Sequence, residues 1–430
     1  MSGESRVDPD ALLELMFRLG QAYLACGEQT AQVELILRRT ASAYGMRRSR
    51  VVAFPTALFI TFHDGTAERV TLAEGPVQTL RLDQIADVYA LGDAAQRGAV
   101  PPAEGLAQIS EILRKSARFG ITGTLVGHVI LTLGLALVLM PSLPNLAAAA
   151  VLGAVVGGVK LLNRGRAVLA VPFPMFAAVL VSALVFLAVK QGLPIDPLHA
   201  LVPPLVTFLP GAMLTFGMVE LVYGDMVSGS SRLITGFVQL VLLAFGLAAG
   251  AALVGYSPEM LLAANAKAID VPWAPWAGVV VFGLGVHLHF SAPRKSLGWI
   301  LLVLLLAFAA QKVAARFVVA EVSGLFGTLV ATPLAYLVHL RFKGPPATVT
   351  FLPSFWLLVP GSLGLLSVTR LLSDRAGGLD GLISALFAVA SIALGTLMGA
   401  AIYKALTETF GRWQLQIGRV GNLFGRGGKR

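Results

Sequence analysis

Charge is what this sequence has least of: Asp, Glu, Lys and Arg make up 13% of its 430 residues, against about 25% in an average soluble domain. With 56% hydrophobic residues, that scarcity excludes an ordinary soluble protein and indicates a membrane protein. Cysteine is nearly absent. Cys26 stands alone, which excludes an intrachain disulfide framework and a cysteine-based zinc cluster. The opening MSGESRVDPD lacks the basic-then-apolar pattern of a signal peptide, so the N-terminal part is expected to stay in the cytosol. Acid is scarce over most of the length, since fourteen of the 23 acidic residues precede Ile121 and nine are spread over the other 310 positions. A soluble head followed by a membrane body is the expected organisation. The net charge of +10 sits in the body, largely in loops and in the tail Arg412, Arg419, Arg426, Lys429 and Arg430. That placement suits an anionic cytoplasmic leaflet and excludes nucleic acid as the natural partner.

In the head, Leu12, Leu15, Met16, Leu19 and Tyr23 fall at helical spacing, and Val33, Ile36, Leu37, Thr40 and Tyr44 do so again after a break at Gly27. The pattern then changes to the short β-forming runs RVVAF, ALFITF and ERVTL, with His63-Asp64-Gly65 as a turn between the last two. Two further helices, over Val77–Arg97 and Ala103–Ala117, lead to the basic collar Arg114, Lys115 and Arg118. An α+β head over residues 1–118 is expected, large enough for a core of its own. No catalytic constellation stands out in it. His63 with Asp64 and Thr61 reads as a polar turn, and Cys26 beside Gly27 as a small residue packed at a helix end rather than a nucleophile.

Ten apolar stretches follow, each measured against the roughly 20 residues that span a bilayer: Ile121–Met140, Leu146–Leu162, Val168–Val189, Ala200–Val222, Leu233–Val254, Trp273–Phe290, Leu297–Ala310, Phe317–Leu340, Phe355–Leu372 and Leu379–Tyr403. The segment TFLPGAMLTFGMVELVYGDMVSGSSRLITGFVQLVLLAFGLAAGAAL has a second copy over Phe355–Ile402. Setting Pro210-Gly211 on Pro360-Gly361 places Gly246 and Gly250 opposite Gly395 and Gly399, with a slip of one residue. A competing register sets VTFLP at Val206–Pro210 on Val349–Pro353, but it aligns a single anchor. Five spans per copy, over residues 119–256 and 257–404, force the copies into opposite orientations, an inverted repeat of the kind secondary transporters use. The basic tail, 405–430, and both termini are expected in the cytosol.

In hydrocarbon a helix break persists where protein or a cavity satisfies the freed backbone groups. Pro203, Pro204, Pro210 and Gly211 are expected to interrupt the fourth span, and Pro353, Pro360, Gly361 and Gly364 the ninth. A half-helix N-terminus at each break, with Thr215 or Ser362, would seat a carboxylate; a proline kink without ligand is the alternative. Carboxylates within a membrane tend to be functional, which singles out Glu220, Asp225 and Glu321 for a substrate ammonium or a coupled proton. The second copy carries Arg370 and Arg375 instead. His128 lies in the first span; His287 and His289, two apart on a helix, do not share a face and make a poor metal pair. Gly246/Gly250 and Gly395/Gly399 read as close helix packing. No metal or other cofactor is called for, and an enzymatic role is not expected.

The stretches LACGEQTAQVELILRRTASAYGM, VVAFPTALFITF, PGAMLTFGMVELVYGDMVSGSSRL and FWLLVPGSLGL resemble the threonine/serine exporter family over nearly the whole chain, in its fused form. The resemblance implies a cytoplasmic-membrane exporter of small amino acids driven by the proton motive force. Split relatives, for which succinate export has been proposed, leave a dicarboxylate exporter as the alternative. A membrane-anchored hydrolase or sensor acting through the head is a second alternative, and a homodimer stays open.

Overall fold

The computed structural model describes residues 8–46, 49–63, 68–74, 80–163, 172–255, 271–358 and 375–424. The head begins with α1 (Pro9–Ala25), started by Pro9 and capped by the Asp8 side chain, and α2 (Thr30–Ala43). Strands β1 (Arg50–Ala53), β2 (Ala57–His63) and β3 (Glu68–Glu74) form one antiparallel sheet in the order β1-β2-β3, with Val51 opposite Ile60 and Thr61 opposite Val70. Helices α3 (Leu82–Gln96) and α4 (Pro102–Arg114) close it. The expected head elements are all present among the described residues, although the turn Asp64-Gly65 and the start proposed for α3 at Val77 lie outside them. Cys26 is buried at the α1 C-cap, where burial pushes its thiol well above the ordinary value. A nucleophile needs the reverse shift.

At the centre of the head Tyr23 is fully buried, edge-on to Tyr89 at 5.1 Å, and its hydroxyl meets no hydrogen-bond partner among the described residues. Gly92 makes the space for it, because a Cβ there would come within 1.9 Å of the Tyr23 oxygen. A buried hydroxyl without a partner costs about 1–3 kcal/mol. Tyr23→Phe is therefore expected to leave the melting temperature of the purified protein unchanged or higher, whereas Gly92→Ala lowers it; a lower melting point for Tyr23→Phe would mean that the hydroxyl is satisfied.

The body comprises α5 (Gly120–Leu139), α6 (Leu143–Leu162), α7 (Phe173–Lys190), α8 (Pro197–Leu205), a 3₁₀ turn over Val206–Phe208, α9 (Gly211–Val222) and α10 (Met226–Leu253). Then come α11 (Ala274–His289), α12 (Leu297–Ala314), α13 (Ala320–Leu340), α14 (Ala347–Leu357) and α15 (Arg375–Phe424). Among the described residues seven helices are long and apolar enough to cross a membrane, or eight if the bent pair α8/α9 is one span. Of the ten expected spans, the sixth is the shorter α11 with 16 residues. The ninth starts earlier than expected, as α14, and most of its predicted length lies outside the described residues. Phe176, Phe237, Phe245 and Phe387 are exposed along these helices, a surface that lipid covers and water would not tolerate. The chain is a multi-pass, mainly helical membrane protein.

Glycines set the helix contacts. Gly246 and Gly250 on α10 bring it against the backbone of α7, where added Cβ atoms would sit 2.5 Å from the Met175 oxygen and 2.4 Å from the Val179 oxygen. Gly395 on α15 does the same to α13, at 2.2 Å from the Leu325 oxygen. Both glycine pairs singled out in the sequence thus make close helix packing. An equally close contact joins α5 to α11 through Gly127, Gly134, Gly278 and Gly285, spaced by seven on each helix.

Two expected breaks need correction. Pro203 and Pro204 lie inside α8, and Pro353 lies inside α14, without interrupting either helix at those positions. A proline removes one donor and crowds the preceding turn. That loss is tolerated near the end of short helices, and α8 stops one residue after Pro204. The break instead falls at Leu209-Pro210, where the axes before and after differ by 62°.

Candidate functional site

The head touches the body through the loop between α1 and α2. Gly27, at φ +81°, turns the chain sharply, a conformation that glycine adopts without strain. This turn directs the start of α2 towards α9. Helix α2 has Gln29 at its N-cap and no side-chain cap of its own, which leaves orphan N–H donors that favour an anion. Glu220, 190 residues further on and 1% exposed, supplies it: Oε1 accepts from the Thr30 amide at 3.0 Å and from the Thr30 hydroxyl at 3.3 Å. A carboxylate from the membrane body thus caps a helix of the head.

The other oxygen of Glu220 forms an ion pair with Arg232 Nε at 3.0 Å. Neither atom of that pair makes a hydrogen bond in the described residues, so the contact is close in distance but poorly aligned. Arg232 Nη2 also donates to the Glu28 carbonyl at 2.7 Å. Asp225 sits at the N-cap of α10 and accepts from the Thr30 hydroxyl at 3.5 Å, long enough to be a weak bond. Gly224, at φ +90°, makes the turn between α9 and α10. Past the turn, Gly217 and Gly229 let the two helices touch: a Cβ on Gly229 would lie 2.7 Å from the Gly217 oxygen. The Gly-Asp-x-x-Ser-Gly stretch is therefore the tip of a tight helical hairpin, and it presents Glu220, Asp225 and Arg232 together to the head.

The network continues on the head side. The Glu28 carboxylate accepts from the Tyr89 hydroxyl and from the Gln29 amide, and Tyr89 in turn meets Thr348 Oγ1 at 2.8 Å, at the start of α14. Burial pushes the Glu28 carboxyl above its ordinary value, against the opposing pull of Tyr89, the Gln29 amide and Arg232. A carboxyl with a raised value binds its proton more tightly in the docked form. Docking is then stronger below the ordinary carboxylate value and weakens as pH rises through the raised one. Limited proteolysis at the α1–α2 loop is expected to become faster over that window in the wild type and to lose this pH dependence in Glu28→Gln.

The remaining predicted residues separate. Pro210 is the N-cap of α9 and Gly211 its first residue, but the Thr215 hydroxyl donates to the Gly211 carbonyl at 2.9 Å inside the same helix, so its proton is already committed. Pro360, Gly361, Ser362 and Arg370, with Gly364, lie outside the described residues, as does the side chain of Arg375. Glu321 is in the first turn of α13. Helix α11 ends at the head, where the Leu82 amide bonds the Phe290 carbonyl at 3.0 Å. Helix α12 then carries the chain about 27 Å away at 1.5 Å per residue, so Glu321 begins its helix at the far end from Glu220. The structure does not bring Glu321 into this site.

Three residues that did not stand out in the sequence belong to the site or its break: Arg232, Tyr89 and Gln239. Gln239 Nε2 donates to the Phe208 carbonyl at 2.6 Å and so satisfies a backbone group freed by the break. A lone polar residue in an apolar span is the signal for Gln239, whereas Arg232 follows Ser230 and Ser231 just before the expected fifth span and carries no such signal.

A family model described as "Putative threonine/serine exporter" matches residues 14–254. The chain belongs to the threonine/serine exporter family. The match holds both sides of the Thr30–Glu220 contact and ends one residue past α10. No curated protein and no solved structure matches the chain. Membership gives the hairpin a context: the family carries a small molecule across a lipid bilayer, and here the head is fastened to the broken span by a buried carboxylate.

Proposed function

We propose that the protein exports threonine, serine or a closely related amino acid across the cytoplasmic membrane as a secondary carrier, driven by the proton motive force, with head and termini in the cytosol. One observation carries the mechanism: Glu220 holds Thr30 of the head and Arg232 of α10 at the same time. Protonation of Glu220, aided by Asp225, would cancel both the helix cap and the ion pair, freeing α9 and α10 to move relative to the head. Substrate binding and proton binding would then be linked through the mobility of the broken span. The glycine pairs on α10 and α15, which pack on α7 and α13, support a body built as two inverted five-helix repeats. In that arrangement Pro360, Gly361, Ser362 and Arg370 would form the counterpart of the first break, and Glu321 would serve the opposite face.

The test is counterflow of labelled threonine and serine, and then of succinate, in proteoliposomes with and without an imposed pH gradient. Amino-acid exchange accelerated by the gradient is expected. Exchange of succinate alone would replace the amino-acid reading with a dicarboxylate one, and amino-acid exchange indifferent to the gradient would remove the proton.

A further inference from the structure

A second polar cluster lies in the body near the head-facing ends of α5, α6 and α11, separate from the carboxylates of the head contact. Lys160 is two residues from the end of α6. Its Nζ donates to the Thr207 hydroxyl at 2.9 Å, lies 3.2 Å from His289 Nε2, and sits over the Phe208 ring at 5.1 Å. His289 ends α11, and its Nδ1 is 2.8 Å from the Thr124 carbonyl, near the start of α5. A carbonyl only accepts, so Nδ1 carries the proton and Nε2 is the acceptor facing Lys160. The His128 ring stacks obliquely on His289 at 4.8 Å. Thr207 and Phe208 belong to the 3₁₀ turn just before the break.

A cation inside a membrane protein is normally paired, yet among the described residues Lys160 has no carboxylate partner. The sequence offers none nearby: no acidic residue occurs between Glu111 and Asp196, and residues 164–171 include Arg164 and Arg166 but no acid. An ammonium has three donors, and those described here go to a hydroxyl and a neutral imidazole. The Thr207 hydroxyl can turn its own proton towards an incoming anion. The break itself does not need a ligand at this point, since Gln239 already satisfies the Phe208 carbonyl. With Lys160 charged, what the cluster lacks is one negative charge.

We propose that Lys160 and Thr207, with His289 holding the lysine in place, bind the carboxylate of the transported amino acid at the head-facing end of the body. This deepens the exporter reading and rests on it for the identity of the substrate. It moves the carboxylate seat from the α9 N-terminus with Thr215 to the other side of the break. The position fits loading from the cytosol, because the head-facing ends of α5, α6 and α11 all contribute.

The experiment compares threonine with its methyl ester, which keeps the ammonium and hydroxyl but loses the carboxylate charge, as competitors of labelled threonine counterflow. Wild type, Lys160→Gln, Lys160→Arg and Thr207→Val are reconstituted in phosphatidylcholine vesicles. A charged hydrogen bond supports a preference of about tenfold or more for acid over ester in the wild type. Lys160→Gln is expected to abolish that preference, Thr207→Val to reduce it, and Lys160→Arg to retain part of it. Should Lys160→Gln fail to fold, Thr207→Val and Lys160→Arg still decide. An undiminished preference in the variants overturns the proposal, as does a dependence on Lys160 that appears only after phosphatidylglycerol is added, which would make the site one for lipid. The exporter reading is judged separately, by whether the wild type moves threonine or serine at all. If it moves only succinate, the same comparison with monomethyl succinate tests Lys160. A wild type that moves none of them overturns both.

Discussion

Glu220→Gln is expected to stop export, lowering the counterflow rate by about a hundredfold or more, and to weaken the fold at the same time. The amide would leave the buried Arg232 guanidinium without its ion-pair partner and the α2 N-terminus with a neutral cap. Breaking one side of a buried ion pair costs about 3–5 kcal/mol, far above the 1 kcal/mol or so of a lost exposed pair. Loss of transport alone would not separate a working carboxylate from a structural one, so the double variant Glu220→Gln/Arg232→Gln decides. With both charges gone, much of the lost stability is expected to return, because the unpaired cation is removed, while transport stays absent. If transport returns with stability, Glu220 is only a fastener. Normal export by Glu220→Gln itself would end the assignment. Asp225→Asn is expected to have the smaller effect of the two carboxylates, since its contact with Thr30 is the long one at 3.5 Å.

Much of this architecture is legible from residue order. Helical spacing in Leu12–Tyr23 and Val33–Tyr44, and the β-forming runs after Arg50, mark the head because each obeys a local period. Apolar length marks the spans for the same reason, and Pro210 marks the bend. The contacts that make the site are not local. Thr30 and Glu220 are 190 residues apart and Lys160 and His289 are 129 apart; nothing in either neighbourhood announces the other. Composition does show that Glu220 and Lys160 are misplaced for hydrocarbon, but not which of them would find a partner. Prolines mislead in the opposite way. Pro203, Pro204 and Pro353 look like breaks as much as Pro210 does, but it is just before Pro210 that the helix ends and a side chain of another helix meets a freed carbonyl, that of Phe208. The seven-residue spacing of Gly127/Gly134 and Gly278/Gly285 is present in the sequence, but it lacks the small-xxx-small spacing that marks Gly246/Gly250 as a helix contact.

That seven-residue stripe carries the largest stability effect expected in the body. Gly134 and Gly285 face each other's helices so closely that a Cβ on Gly134 would be 2.2 Å from the Phe282 amide nitrogen, and one on Gly285 would be 2.2 Å from that of Leu131. Both obstacles are backbone, so no rotamer change relieves them. Alanine at either position must push α5 and α11 apart, at a cost of about 1–3 kcal/mol or more. Leucine at Gly134 should exceed about 4 kcal/mol, the range reached only by core disruption, and yield little monodisperse protein. Separating these helices also pulls His289 from Thr124, since Gly127 holds the His289 backbone against α5. Gly134→Ala should therefore blunt the acid-over-ester preference as well as the melting temperature. Gly158 on α6 is the control. A Cβ there meets nothing within 4 Å, and alanine gains about 1 kcal/mol in helix propensity, so Gly158→Ala should melt at the wild-type temperature or a few degrees above. Equal melting temperatures for Gly134→Ala and Gly158→Ala would mean that α5 and α11 are not in backbone contact in the membrane.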